Sequence, residues 1–146
     1  LITDPKKRFQ KKMGFIDFGE LNAYTNEIIE KFNVKTTGVS ALASSLSGGN
    51  LQKFVVGREI GQKPSLFIVN QPTWGVDALS AANIRQAIVE IANNGAAIIL
   101  ISQDLDEILE ISNKVAFLTN GNLSIPTNTM DIKTDEIGAI MGGIGD

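Results

Sequence analysis

Two stretches of this sequence put chemically capable residues at the ends of regular structure. The first is Ser47-Gly48-Gly49-Asn50, where a glycine pair follows a hydroxyl and precedes a helical pattern. Glycines let backbone N–H groups approach an anion without side-chain obstruction. The helix start adds partial positive charge, and the Ser47 hydroxyl adds a donor. The chemistry on offer is binding of a phosphate-like group, although the same residues also make an ordinary flexible turn. The second stretch is LFIVNQPTWGVD, Leu66 to Asp77, in which four apolar residues run into Asn70 and Gln71 before a turn at Pro72 and Trp74-Gly75. Strand ends of this kind commonly present acids and bases. An amide, however, cannot accept a proton at neutral pH and offers no charge to a divalent cation. A further polar end, Ser102-Gln103-Asp104, closes the apolar run AAIILI.

Periodicity indicates the elements that must hold these residues. In FGELNAYTNEIIEKFNV, Leu21, Tyr24, Ile28, Ile29 and Phe32 recur at helical spacing with charges between them, which predicts an amphipathic helix. VKTTGVSALASS reads as a loop leading to Leu46-Ser47-Gly48-Gly49-Asn50, and LQKFVVGREIG as a helix closed by Gly61. Asp77 to Asn94 predicts a long helix with Ile84, Ile88 and Ile91 on one face and a cap at Asn93-Asn94-Gly95. AAIILIS has the continuous apolar character of a strand covered on both faces. Asp104 and Glu107 bracket the first turn of DLDEILEIS, in which Leu105, Ile108 and Leu109 face inward. VAFLTNGNLSI predicts a hairpin about Asn120-Gly121, and DEIGAIMGG a last short helix. Alternating strands and helices of these lengths imply parallel βαβ units, hence an α/β fold. The first third lacks strong strands. The expected division is therefore a helical subdomain over residues 1–48 and an α/β half over 49–146.

Composition removes several classes of function. A chain of 146 residues can bury a respectable core, and its net charge of −3 gives no global case for binding nucleic acid or an acidic membrane. The cluster Lys6, Lys7, Arg8, Lys11 and Lys12 reads as solvated surface. With no cysteine, disulfides and thiolate metal sites are excluded. With no histidine, the usual general base and the usual metal ligand are gone as well. No apolar run approaches the roughly 20 residues that span a bilayer, and no secretory signal is recognisable. The chain opens with Leu1-Ile2-Thr3, which leads us to expect a piece of something longer.

The ordered series of these motifs resembles the C-terminal portion of the nucleotide-binding domain of ATP-binding-cassette (ABC) transporters, from about Gly14 to Met141. LSGGN is similar to the family signature, LFIVNQPT to its Walker B strand, WGVD to its D-loop and ISQD to its switch (H-loop) region. LSGGN-x-QK, from Leu46 to Lys53, resembles more narrowly the second cassette of the two-cassette ATPases that drive bacterial sugar and nucleoside importers. The lead-in GFIDFGELNAYTNEIIEKFNVKTTG does so too. The resemblance implies part of a P-loop-NTPase-like (RecA-like) parallel sheet with a helical subdomain, the Walker A half being absent. It also implies cassettes that pair head to tail. Ser47, Gly48, Gly49 and Asn50 would then contact ATP held by a partner cassette, and Asp77 would line the interface or simply cap its helix. Implied partners are that second cassette, membrane permease subunits and, indirectly, an extracellular or periplasmic substrate-binding protein, with no nucleic acid. The implied location is the cytoplasmic face of the bacterial inner membrane, peripherally attached. ATP and Mg²⁺ belong to the full assembly, and none is expected bound to this stretch alone.

The departures from the family pattern are as telling. No Gly-Lys pair occurs, so the phosphate-cradling GxxxxGK[ST] loop is missing. Asn70 stands where Walker B has its magnesium-holding aspartate, Gln71 where the catalytic glutamate stands, and Gln103 where the switch histidine stands. Losing a positioned base forfeits about 10²–10⁴ in rate, so the site is expected to hydrolyse slowly or not at all. Trp74 stands where arginine is usual, with packing as its available role. Three functions stay open at this point. One is a non-catalytic half of an import ATPase that donates the signature loop. Another is a regulatory or interaction domain using ATP as dimerisation glue. The third is an ATPase with an unconventional site.

Overall fold

The computed structural model describes residues 9–11 and 14–132. The chain divides into two compact units, Leu1–Ile101 and Ser102–Asp146, and each is taken by itself.

In the first unit, Asp17 opens helix α1 (Phe18–Lys31) by accepting the N–H groups of Gly19 and Glu20 at 3.0 and 3.2 Å. Its other oxygen pairs with Lys11 at 3.0 Å. Lys6, Lys7, Arg8 and Lys12 of the same basic cluster lie outside the described residues. The buried face of α1 carries Thr25 and Ile28, continued by Phe32 at the C-cap. This face meets helix α2 (Gly48–Ile60) at Gly57, where a Cβ would stand 2.5 Å from the Phe32 ring. Gly61 ends α2 as expected, but not by adopting a left-handed conformation. Its φ is −64°, and Lys63 takes the positive φ, 50°. Glycine is needed at 61 because the Tyr24 hydroxyl fills the space of a Cβ there, on its way to the Arg58 carbonyl at 3.1 Å.

Strands β1 (Leu66–Asn70) and β2 (Ala97–Ile101) pair in parallel, Leu66 opposite Ala97 and Asn70 opposite Ile101. Helix α3 (Ala78–Asn93) connects them, completing the expected βαβ unit. It stops at Asn94, with Gly95 at φ 95°, the left-handed position that a side chain would strain. Ile84, Ala87 and Ile88 from α3, Val56 and Ile60 from α2, and Phe67 and Val69 from β1 form the core with Ile28 and Phe32.

The expectation that the AAIILIS strand is covered on both faces does not hold within the described residues. Ile99 and Ile101 are 49% and 51% exposed, and Leu66 and Ile68 on the neighbouring strand 53% and 60%. Side chains alternate across a strand, so the residues opposite the buried Phe67 and Val69 emerge on a face that no described residue covers. An unbroken apolar run shows that both faces suit burial, not that both are buried.

In the second unit, Asp104 caps helix α4 (Leu105–Ile111), accepting the N–H of Glu107 at 3.1 Å. Glu107 does not return the bond. Its carboxyl is buried with no hydrogen-bond partner among the described residues, so only half of a capping box forms. Strand β3 (Lys114–Val115) pairs antiparallel with β6 (Thr127–Asn128). Between them β4 (Leu118–Thr119) and β5 (Asn122–Leu123) form the expected hairpin, with Asn120 and Gly121 both at positive φ, 51° and 81°. The helix expected at DEIGAIMGG lies outside the described residues. Among the described residues no helix is long and apolar enough to cross a membrane.

Candidate functional site

Helix α2 begins at Gly48, so Ser47 is its N-cap residue by backbone conformation, φ −63° and ψ 157°. Its side chain does not perform the cap. The Ser47 oxygen instead accepts from Asn50 Nδ2 at 2.9 Å, while Asn50 Oδ1 accepts the Lys35 N–H at 2.9 Å. The helical ladder starts with Leu51 N–H on the Ser47 carbonyl. The N–H groups of Gly48, Gly49 and Asn50 therefore have no acceptor among the described residues. Ser47 and Gly48 are exposed. A helix start with unclaimed N–H groups and an exposed hydroxyl suits an anion. The two glycines serve different needs. At Gly48 a Cβ would meet nothing within 4 Å, whereas at Gly49 it would stand 2.6 Å from the Gly75 carbonyl oxygen.

That contact brings the loop after β1 against the start of α2. Asn70 ends β1 with its side chain exposed. Gln71 has a φ of 50°, which is unusual for a side chain larger than glycine. Its N–H donates to the Ile101 carbonyl at 2.8 Å, and its carbonyl accepts from Trp74 N–H at 3.2 Å. Pro72 is fully buried behind it. Gln52 from α2 donates its amide N–H groups to the Gln71 and Pro72 carbonyls at 3.0 and 3.2 Å. Trp74, open to a packing role by sequence, is not packed: 77% of it is exposed.

Asp77 is the N-cap of α3. Its Oδ1 accepts the Ser80 N–H at 3.0 Å and its Oδ2 the Ser80 hydroxyl at 2.7 Å. Lys53, buried on α2, donates to the Asn33 carbonyl at 3.0 Å and stands 3.6 Å from Asp77 Oδ2. The Ser80 hydroxyl above all, then the Ser80 N–H and the Lys53 charge, draw the Asp77 carboxyl from 3.8 to about 2. A depressed carboxyl contributes stability above its unfolded value and loses it as pH falls through the folded one. The stability advantage of wild type over Asp77→Asn should therefore hold at neutral pH and shrink between about pH 4 and 2, as measured by denaturant melts. An advantage that does not shrink with pH contradicts the assignment.

Of the residues singled out by sequence, Ser47, Gly48, Gly49, Asn50, Asn70, Gln71 and Asp77 lie in the first unit. Contacts from α2 tie the turn at 71–75 and Asp77 to the helix that Ser47 begins. Gln103 lies in the second unit, exposed, one residue before the α4 cap, where the Asp104 N–H donates to the Ser102 hydroxyl at 3.0 Å. Sequence reasoning assigned no role to Gln52 or Lys53, although both stand in the LSGGN-x-QK motif. A polar residue early in a helix looks like surface until its acceptors are known. The strand end does not fit a divalent cation. Asn70 and Gln71 offer neutral amide oxygens, and no group of three or more acidic or metal-ligating side chains occurs among the described residues.

No family model matches the chain. It is 39% identical over 133 residues to a glucose import ATP-binding protein of Haloferax volcanii, covering 90% of this chain and 24% of that protein. Over 132 residues it is 37% identical to a nucleoside import ATP-binding protein of Lactococcus lactis, covering 90% of this chain and 26% of that one. The chain thus spans about a quarter of the length of these relatives. Among solved structures, a dimeric ATP-binding cassette in a post-hydrolysis state with ADP and Pi superposes with a TM-score of 0.69 at 18% identity, covering 82% of this chain and 51% of that one. The ATP-binding subunit of an ABC transporter gives 0.67 at 21% identity, covering 88% and 51%. Identities this low establish the shared fold alone.

Proposed function

We propose that this chain, part of an ABC nucleotide-binding domain of the type found in sugar and nucleoside import ATPases, lends its Ser47-Gly48-Gly49 helix start to ATP bound on a partner cassette. At its own strand end it turns ATP over slowly or not at all. One observation carries the reading. The Ser47 oxygen accepts from the Asn50 side chain rather than from a backbone N–H of the first turn, and the first-turn N–H groups of α2 stand unclaimed beside an exposed hydroxyl. These donors are fixed in place by α2, so they need little rearrangement to meet the charge on a transferring phosphoryl group. The strand end, by contrast, presents only amides, which can orient water or phosphate but cannot remove a proton. Magnesium, where ATP is hydrolysed, would have to be held by residues of the competent cassette, since Asn70 and Gln71 offer it no charge.

In this reading residues 1–48 form the helical subdomain and 49–146 the C-terminal half of the ATPase core. The complete protein works at the cytoplasmic face of the membrane, paired with a second cassette and attached to permease subunits served by a substrate-binding protein. Asp77, besides capping α3, lies on the side presented to the partner cassette. The test uses the complete ATP-binding protein with its permease. Replacing the catalytic strand-end glutamate of the other cassette by glutamine should reduce ATP turnover to background, a loss of about 10²–10⁴. Substantial residual turnover would mean that the amide site hydrolyses ATP. No turnover even before the substitution would favour a purely regulatory domain.

A further inference from the structure

Helix α2, which begins at the Ser47 half of the site, holds the strand-end half through one side chain. The Gln52 amide nitrogen bridges two consecutive carbonyls, Gln71 at 3.0 Å and Pro72 at 3.2 Å. Gln71 is thereby gripped from two directions. Its N–H is held by the Ile101 carbonyl of β2 at 2.8 Å, and its carbonyl by α2. Between these anchors its backbone is kept at a φ of 50°, a conformation that persists only where surroundings enforce it. The same helix begins at Ser47-Gly48-Gly49 and meets the far end of the turn where Gly49 abuts the Gly75 carbonyl. One residue on from Gln52, buried Lys53 holds the Asn33 carbonyl and faces Asp77. The turn bearing Gln71 and the helix start bearing Ser47 therefore cannot shift independently while the Gln52 bridge is made.

We propose that Gln52 is a positioning residue that couples the two nucleotide sites in which this chain takes part, its own at Gln71 and the partner's at Ser47. The inference rests on the signature-donating function proposed above. Movement of the strand-end turn when nucleotide occupies its own site is passed through the Gln52 bridge to α2, and so to the loop that covers the partner's nucleotide. Such coupling is reciprocal: occupancy of either site changes the affinity of the other by the same factor. The bridge needs a donor, because both acceptors are carbonyls. It can be broken by changing hydrogen-bonding character at nearly constant size.

The test is the ATP dependence of turnover in the complete protein with its permease. Wild type should show a Hill coefficient above one. Gln52→Glu places an acceptor against two carbonyls and Gln52→Met places nothing there; both should lower the coefficient to about one. Gln52→Lys restores a donor and should restore cooperativity, a recovery that mere packing at this position would not produce. Melting curves are to establish that each variant is folded, and Gln52→Met serves if the charge of Gln52→Glu prevents folding. Hyperbolic wild-type kinetics, or unchanged cooperativity in folded Gln52→Met, would overturn the proposal. So would failure of Gln52→Lys to recover cooperativity. Ser47→Arg, run alongside, separates the two ideas. If it abolishes turnover while Gln52→Met stays cooperative, only the coupling is wrong. If it leaves turnover intact, the signature-donating function itself fails.

Discussion

Ser47→Arg in the complete ATP-binding protein is expected to lower ATP turnover by about 10²-fold or more, in the range found when a preorganised donor to developing charge is removed. The substitution acts three ways at one point. It deletes the hydroxyl, it frees Asn50 from the oxygen that holds it at 2.9 Å, and it lays a long side chain over the helix start. The N–H groups of Gly48 and Gly49, on which phosphate contact depends, then sit behind an obstruction. The position is exposed and its side chain does not cap α2, so the fold should not suffer. Melting temperature should stay within a few degrees of wild type. Ser47→Ala should fall between the two, because it removes the hydroxyl but leaves the N–H groups accessible. Turnover by Ser47→Arg at the wild-type rate would refute the proposed function.

The second large effect separates two adjacent glycines. Gly49→Ala is expected to destabilise the protein by about 1–3 kcal/mol, the usual cost of overpacking, whereas Gly48→Ala should be close to neutral in stability. The asymmetry follows from what each Cβ would meet. Next to Gly48 lies open space; next to Gly49 lies the Gly75 carbonyl oxygen at 2.6 Å. That neighbour is backbone, so no rotamer change relieves the clash. Either α2 or the turn at 71–75 must move. Because the Gln52 bridge and the Lys53–Asp77 pair span the same gap, movement also loosens their geometry. Gly49→Ala should accordingly reduce turnover as well as stability. Gly48→Ala tests phosphate access alone, since its methyl group stands on the exposed side of the loop. Urea titrations of both variants decide the matter, and equal stabilities would contradict the packing described.

Much of the fold was legible because local rules and the tertiary structure agree. Asp77 and Asp104 each begin a helix, and each accepts a backbone N–H of the first turn. Asn94-Gly95 ends α3 through a positive φ at Gly95, and Asn120-Gly121 turns the hairpin through two of them. These signals are short-range: the residue that gives the signal makes the bond. The strand beginning at Ala97 has one face open among the described residues, because burial is a property of what lies across from a strand, and its own sequence carries no record of that. Gly61 shows the same limit in reverse. Its place at the end of α2 was correct, but its reason is the Tyr24 hydroxyl, which comes from α1.

The sequence by itself determined the order of the motifs, the amide character of Asn70, Gln71 and Gln103, and the glycine pair ahead of α2. Residue identity is enough to settle which groups can carry charge or take a proton. Only the tertiary structure decided which of these residues act together. The Ser47 oxygen accepts from the Asn50 side chain and not from a first-turn backbone N–H of α2, whose N–H groups stand unclaimed. Gln71 is held at a positive φ between an acceptor on β2 and a donor on α2. Lys53 is buried because a carbonyl and a carboxylate meet it there. The first depends on which partner a neighbouring side chain takes; the other two depend on where groups distant in sequence stand within about three to four ångströms of one another, the range over which hydrogen bonds and close ion pairs act.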